Sequence, residues 1–289
     1  MKTLRKNYMK RTNNKLRHYI PFAKAGAKVE LAYKAQIIMW IFISFVEVFF
    51  VVFLYQAVYR NSPDGMDAVI NGFTFPDMVL YMITSFLFSF IMGGGETAYN
   101  IFTDIKEGTI ANTLTKPVSY RLKHLFTYLG VLVLDSLVLL FPLMLLVYGV
   151  FIGIGILKVT FVGCLVNVVF FLCFTLLAGL LNDAIGYFIG MMVFYTDHLF
   201  GLNMARSVLE SFMGGRMVPL SYMGTLGVIF SYTPFAFLNA VPVLTIMNKL
   251  APLEALRYLG IALLWVVAIE VANHFFFRHA IKKISVQGG

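Results

Sequence analysis

Glu47, Asp135 and Glu270 each interrupt a long apolar run, and Arg206 and Glu210 interrupt another. An acid in an apolar medium is expensive and is a functional suspect for that reason: it could face a central passage and favour cationic or amphipathic cargo. The plainer alternatives are a hydrogen bond to Ser, Tyr or Asn on a neighbouring helix, or protonation in place. Arg206 and Glu210 stand at i,i+4, so they can pair on one helix face, and a paired charge costs far less there than a lone one. Other chemistry finds little material. The sequence has no G-x-x-x-x-G-K-[ST] loop to cradle phosphates and no Gly-Lys pair at all. Its histidines are scattered without H-E-x-x-H or other ligand spacing, so no metal site is expected. A membrane-embedded enzyme would have to draw on Asp135, Asp183 or His198, which form no constellation of acid, base and nucleophile.

The elements that must hold these side chains follow from composition. The chain is 60% hydrophobic and 13% charged, with a mean hydropathy of +0.81, and so few charges cannot cover a water-facing surface. Its 289 residues offer material for about six membrane spans of roughly 20 residues each. Barrel strands would alternate apolar and polar residues, whereas runs such as 131–150 are apolar on every side. The expectation is an all-α integral membrane protein, one compact membrane domain over residues 1–289. Cys164 and Cys173 lie on opposite faces of one apolar helix, too far apart to bond. Most of the phenylalanines, with Met191, Met192 and the methionines of 213–223, read as lipid-facing or packing residues.

Basic residues orient the chain. Lys2, Arg5, Lys6, Lys10, Arg11, Lys15, Arg17, Lys24, Lys28 and Lys34 precede the first span, opposed there by Glu30. The positive-inside rule places this segment, 1–34, in the cytoplasm against anionic lipid, in preference to a nucleic-acid contact. Phe22, Ala25, Gly26, Val29 and Tyr33 recur at helical spacing, which predicts an interfacial elbow helix. The first apolar run is longer than a signal-peptide core and is expected to remain as a span, 35–59. Spans then follow at 75–92 and 124–150, with the polar segment 96–123 between them on the cytoplasmic side. Region 159–202 holds either two tight spans with a turn at Asn182 and Asp183, or one long tilted span turning near Thr196, Asp197 and His198; the second is favoured. A poor span at 199–214 precedes 215–247, where Pro219, Pro234 and Pro242 break helix too often for one crossing and suggest re-entrant helices in the outer leaflet. The last span, 256–277, returns both termini to the cytoplasm.

Four stretches in this order resemble the membrane subunits of bacterial type 2 ABC exporters. They are Ile105-Lys106-Glu107-Gly108-Thr109-Ile110 with Leu114-Thr115-Lys116-Pro117-Val118-Ser119, then Met213-Gly214-Gly215-Arg216-Met217-Val218-Pro219-Leu220, then Pro234-Phe235-Ala236 with Pro242, and last Leu264-Trp265 with the basic tail. The family commonly has Phe-Trp where this chain has Phe194-Tyr195, and Arg206 with Glu210 is more polar than the family leads one to expect. The resemblance implies a permease in the bacterial cytoplasmic membrane. It is then expected to be no enzyme itself and to bind no cofactor, with ATP and Mg handled by separate ABC ATPase subunits. It further implies a partner permease, either a second copy or a homologous one. Within 96–123, Asp104, Lys106, Glu107, Gly108, Thr109 and Pro117 are the expected ATPase contact, Gly108 and Pro117 suiting the ends of a short helix. A gradient-driven carrier or channel is the alternative, favoured by the lone intramembrane acids and opposed by the missing internal repeat.

Overall fold

The computed structural model describes residues 16–32, 34–93, 96–116, 118–157, 160–196 and 198–281. The helices are α1 (Ile20–Ala32), α2 (Lys34–Arg60), α3 (Phe75–Met92), α4 (Glu96–Lys106), α5 (Ile110–Leu114), α6 (Tyr120–Asp135), α7 (Phe141–Gly153), α8 (Phe161–Met192), α9 (Phe200–Met213), α10 (Gly224–Phe230), α11 (Ala240–Ile246) and α12 (Pro252–Ala280). No strand occurs among the described residues; an isolated bridge joins Ile70 and Phe73. The chain is therefore an all-α, multi-pass membrane protein.

Local chemistry sets the ends of these helices. Thr74 and Asp77 form a reciprocal capping box at the start of α3, Asp77 N donating to Thr74 Oγ1 at 3.3 Å and Thr74 N to Asp77 Oδ2 at 3.1 Å. The helix stops at Gly93, whose φ of +57° is left-handed. Between α6 and α7 a π turn, Ser136–Leu140, lets the Phe141 N–H reach back to the Ser136 carbonyl. Pro142, just beyond, supplies no N–H and its ring would strike an α-helical carbonyl four residues earlier, so the extra residue relieves a clash without ending the helix.

Most of region 159–202 is one helix, Phe161–Met192. α8 runs unbroken through Asn182 and Asp183 for 32 residues, about 48 Å of rise, longer than the roughly 30 Å of hydrocarbon. Asn and Asp favour turns when they bond their own backbone, but here both side chains are committed to other helices. Around α8 pack α4, α6, α11 and α12. Small residues let backbones approach: a Cβ on Gly190 would lie 3.0 Å from Ala98 Cα, and one on Gly186 3.5 Å from Thr97 Cβ, so Gly186-x-x-x-Gly190 seats α4. The same device seats α1 on α6, where a Cβ on Gly130 would fall 1.9 Å from the Ala23 carbonyl oxygen. The largest core cluster centres on α3, with Met78, Tyr81 and Phe88 buried against Tyr59 of α2, Leu140 and Val243. α2 buries little more than Tyr55 and Tyr59, and Phe42, Phe45 and Phe50 stay exposed.

Two features add to these expectations. Among the described residues, five helical stretches are long and apolar enough to cross a membrane unaided, one short of the six or so expected. The sixth would be α9, whose 14 residues rise only about 21 Å before Gly215, at φ +71°, ends the helical path. The polar segment 96–123 begins with a packed helix. α4 carries Thr97, Ala98 and Ile101 buried on one face, so only the portion beyond Lys106 forms the turn.

Replacing Gly130 with Leu should push α1 off α6. We expect a loss of about 1–3 kcal/mol of stability, the usual range for overpacking, and faster proteolysis within 20–32. Gly149→Ala is the control, since nothing lies within 4 Å of its Cβ position. An unshifted melting temperature in Gly130→Leu would contradict the close approach.

Candidate functional site

The turn after α4 is organised by Asp104. Its Oδ1 accepts from Thr109 Oγ1 at 3.0 Å, and its Oδ2 accepts from Tyr120 OH at 3.1 Å and Lys123 Nζ at 3.2 Å. Asp104 thus ties the ends of α4, α5 and α6 together and is turned inward. Lys106, Glu107 and Gly108 are exposed. Gly108 has φ +71°, and nothing lies within 4 Å of its Cβ position, so its backbone needs glycine while its surroundings leave room. Pro117 lies outside the described residues.

Arg121, on the first turn of α6, connects this turn to the bundle. Its Nη1 lies 2.5 Å from Asp183 Oδ2 of α8, and its Nε lies 3.1 Å from each carboxylate oxygen of Glu270 on α12. The guanidinium covers the Tyr187 ring at 4.7 Å, while Tyr120 stacks on Phe277 of α12 at 5.8 Å. Asp183, fully buried, also accepts from Thr97 Oγ1 of α4 at 2.6 Å. Four helices, α4, α6, α8 and α12, therefore share one charge cluster.

A second cluster sits at the break after α3. The Asn182 amide donates to the Met92 carbonyl, to the Gly93 carbonyl at 3.0 Å and to Tyr128 OH at 2.9 Å. Tyr128 OH donates to the Met92 carbonyl at 2.9 Å. Arg206 of α9, itself buried, donates to the Asn182 side-chain oxygen and pairs with Glu210. The i,i+4 pair is thus one end of a chain of bonds from α9 through α8 to the carbonyls that a helix break leaves without partners.

The remaining acids are dispersed. Glu47 of α2 lies 3.4 Å from Arg216 Nη2, beyond the end of α9. Asp135 is half-buried where the π turn begins and joins neither cluster. Of the residues singled out from sequence, Asp104 and Thr109 meet at the turn, Arg206 meets Glu210, and Glu270 and Glu47 each meet an arginine. Sequence reasoning missed Arg121 as anything but an orienting charge, and missed Asn182 and Arg216. An arginine at the boundary of an apolar run facing lone acids in other runs was the available signal, since membrane charges must find partners.

Residues 42–288 match the family described as ABC-2 family transporter protein. A search among curated proteins finds no match.

Arg121→Met would leave Asp183 charged and buried with no cation beside it, at a cost of about 3–5 kcal/mol. Glu270→Gln should cost less, because the Glu270 side chain is 34% exposed. Adding Asp183→Asn to Arg121→Met should restore part of the loss. Denaturant unfolding of the four proteins checks the order, and equal stability of wild type and Arg121→Met would remove the cluster's structural role.

Proposed function

Because the chain belongs to the ABC-2 transporter family, as a membrane permease subunit of an ABC transporter, we propose that it forms half of an export pathway driven by separate ATPase subunits acting on 96–123. The other half is a second copy or a homologous permease. The setting is the bacterial cytoplasmic membrane, with both termini inside; this orientation requires α9 and the short helices after it to complete a sixth crossing together.

The observation that carries this reading is the wiring of the exposed turn. Lys106, Glu107 and Gly108 face outward, and Asp104 immediately behind them binds the start of α6. One residue from Tyr120, Arg121 grips α8 and α12. Pressure on the turn is therefore delivered to long spans through charge-assisted bonds, which are short and directional. Thr109 and Asp104 serve as ties, and the contact itself falls on Lys106, Glu107 and Gly108. ATP and Mg belong to the partner, whose hydrolysis would be felt here as displacement of the turn.

The test is co-purification from detergent-solubilised membranes of cells that also make the ATPase. The wild-type permease should carry the ATPase with it, and Gly108→Trp should retain at least about tenfold less, the equivalent of 1.4 kcal/mol of contact. Gly108→Ala bears the same backbone strain without the bulk and should retain it. Full retention by Gly108→Trp would move the contact elsewhere. ATP-independent, gradient-driven transport by the chain alone in liposomes would favour the carrier reading.

A further inference from the structure

Beyond Met213 the chain leaves α9 through Gly215, Arg216 and Met217, and three hydroxyls hold three successive carbonyls there. Tyr81 OH donates to the Gly215 carbonyl at 2.6 Å, Ser85 Oγ to that of Arg216 at 3.2 Å, and Tyr55 OH to that of Met217 at 3.2 Å. Gly215 itself, at φ +71°, is wedged so that a Cβ would meet Leu220, Ala240 and Tyr81 at 3.1 to 3.2 Å. The backbone that carries Arg216 is therefore fixed from α2 and α3. Its guanidinium lies over the Phe86 ring at 5.2 Å.

The use of its donors separates Arg216 from Arg121 and Arg206. Arg121 and Arg206 commit several nitrogens to bonds and are largely buried. Arg216 makes one long bond, Nη2 to Glu47 at 3.4 Å, and its buried Nε has no hydrogen-bond partner among the described residues. The side chains of Arg216 and Glu47 are 29% and 39% exposed, an expensive arrangement for charges in an apolar belt unless another group completes it. Beside the pair, Met217 and Val218 present apolar surface.

We propose that Arg216 is the head-group site for an amphiphile bearing a carboxylate or phosphate. The planar guanidinium fork matches such an oxyanion in bidentate fashion, its pinned backbone lowers the ordering cost of binding, and the apolar residues beside it take the ligand's hydrocarbon. Glu47 is then the resident counter-ion that the ligand displaces. Identifying the ligand as cargo rests on the permease reading above; the binding itself does not.

The test uses the purified full-length chain in nonionic detergent, without any ATPase, titrated by native mass spectrometry. Dodecyl phosphate and dodecanoate should bind, and dodecyltrimethylammonium and inorganic phosphate should not. Phosphatidylglycerol in a parallel titration distinguishes a membrane lipid from a single-chain amphiphile: whichever binds more tightly in an Arg216-dependent way names the source. Arg216→Gln should weaken binding about tenfold or more, the loss of a charge-assisted pair, whereas Glu47→Gln should tighten it by removing the competing carboxylate. Arg257→Gln, at an exposed arginine near the start of α12, should change nothing. Equal binding by wild type and Arg216→Gln, weaker or unchanged binding by Glu47→Gln, or a preference for the cationic amphiphile would each overturn the assignment. If Arg216→Gln does not fold, the sign of the Glu47→Gln effect decides. Because no nucleotide enters the titration, failure here leaves the ATPase contact untouched, and failure of that contact leaves this site standing.

Discussion

A helix broken inside an apolar layer leaves carbonyls with no water to bond, and each must find a donor on another part of the chain. At the end of α3 the Asn182 amide and Tyr128 hydroxyl take the Met92 and Gly93 carbonyls. At the end of α9 the hydroxyls of Tyr81, Ser85 and Tyr55 take those of residues 215 to 217. Asn239 adds side-chain ties from the proline-rich stretch to α3, donating to Ser85 Oγ at 2.5 Å and accepting from Ser89 Oγ at 3.1 Å. The donors to these carbonyls come from α2, α3, α6 and α8, so the helix breaks are also the places where the bundle is locked together.

Charge follows the same logic. Glu270 and Asp183 share Arg121, Glu210 holds Arg206, and Glu47 faces Arg216. A buried pair adds little net stability over apolar packing, because desolvation consumes most of the attraction, but removing one partner is costly. Such pairs specify which helices meet more than they strengthen the meeting. Glu47 and Glu270, isolated along the chain, each face an arginine, whereas Asp135 joins neither cluster.

Much of the architecture was legible because a membrane span is a local property. Length and apolarity alone placed 75–92 on α3 and 124–150 on α6 and α7, and the favoured single span across 159–202 corresponds to α8. In stretch 96–123 the charges stand out along the sequence, while the recurrence of Ala98, Ile101 and Ile105 that seats α4 on α8 is short and easily overlooked. The span at 199–214 was hard to place for the reason that makes it interesting: Arg206 and Glu210 lower its hydropathy, and Arg206, paired with Glu210, is committed to Asn182.

Sequence by itself determined that this is an all-helical membrane protein, where most of its crossings begin and end, and that Arg206 can reach Glu210, since each depends on residues within a few turns of one another. Tertiary structure alone decided that Arg121 meets Asp183 and Glu270, 62 and 149 positions away, and that Arg216 meets Glu47, 169 positions away. Nothing local encodes those partners. A charge in an apolar helix is obliged to pair, but packing chooses with whom: the glycines that let α4 approach α8 and α1 approach α6, and the hydroxyls that fix the chain after α9, set which side chains come within reach.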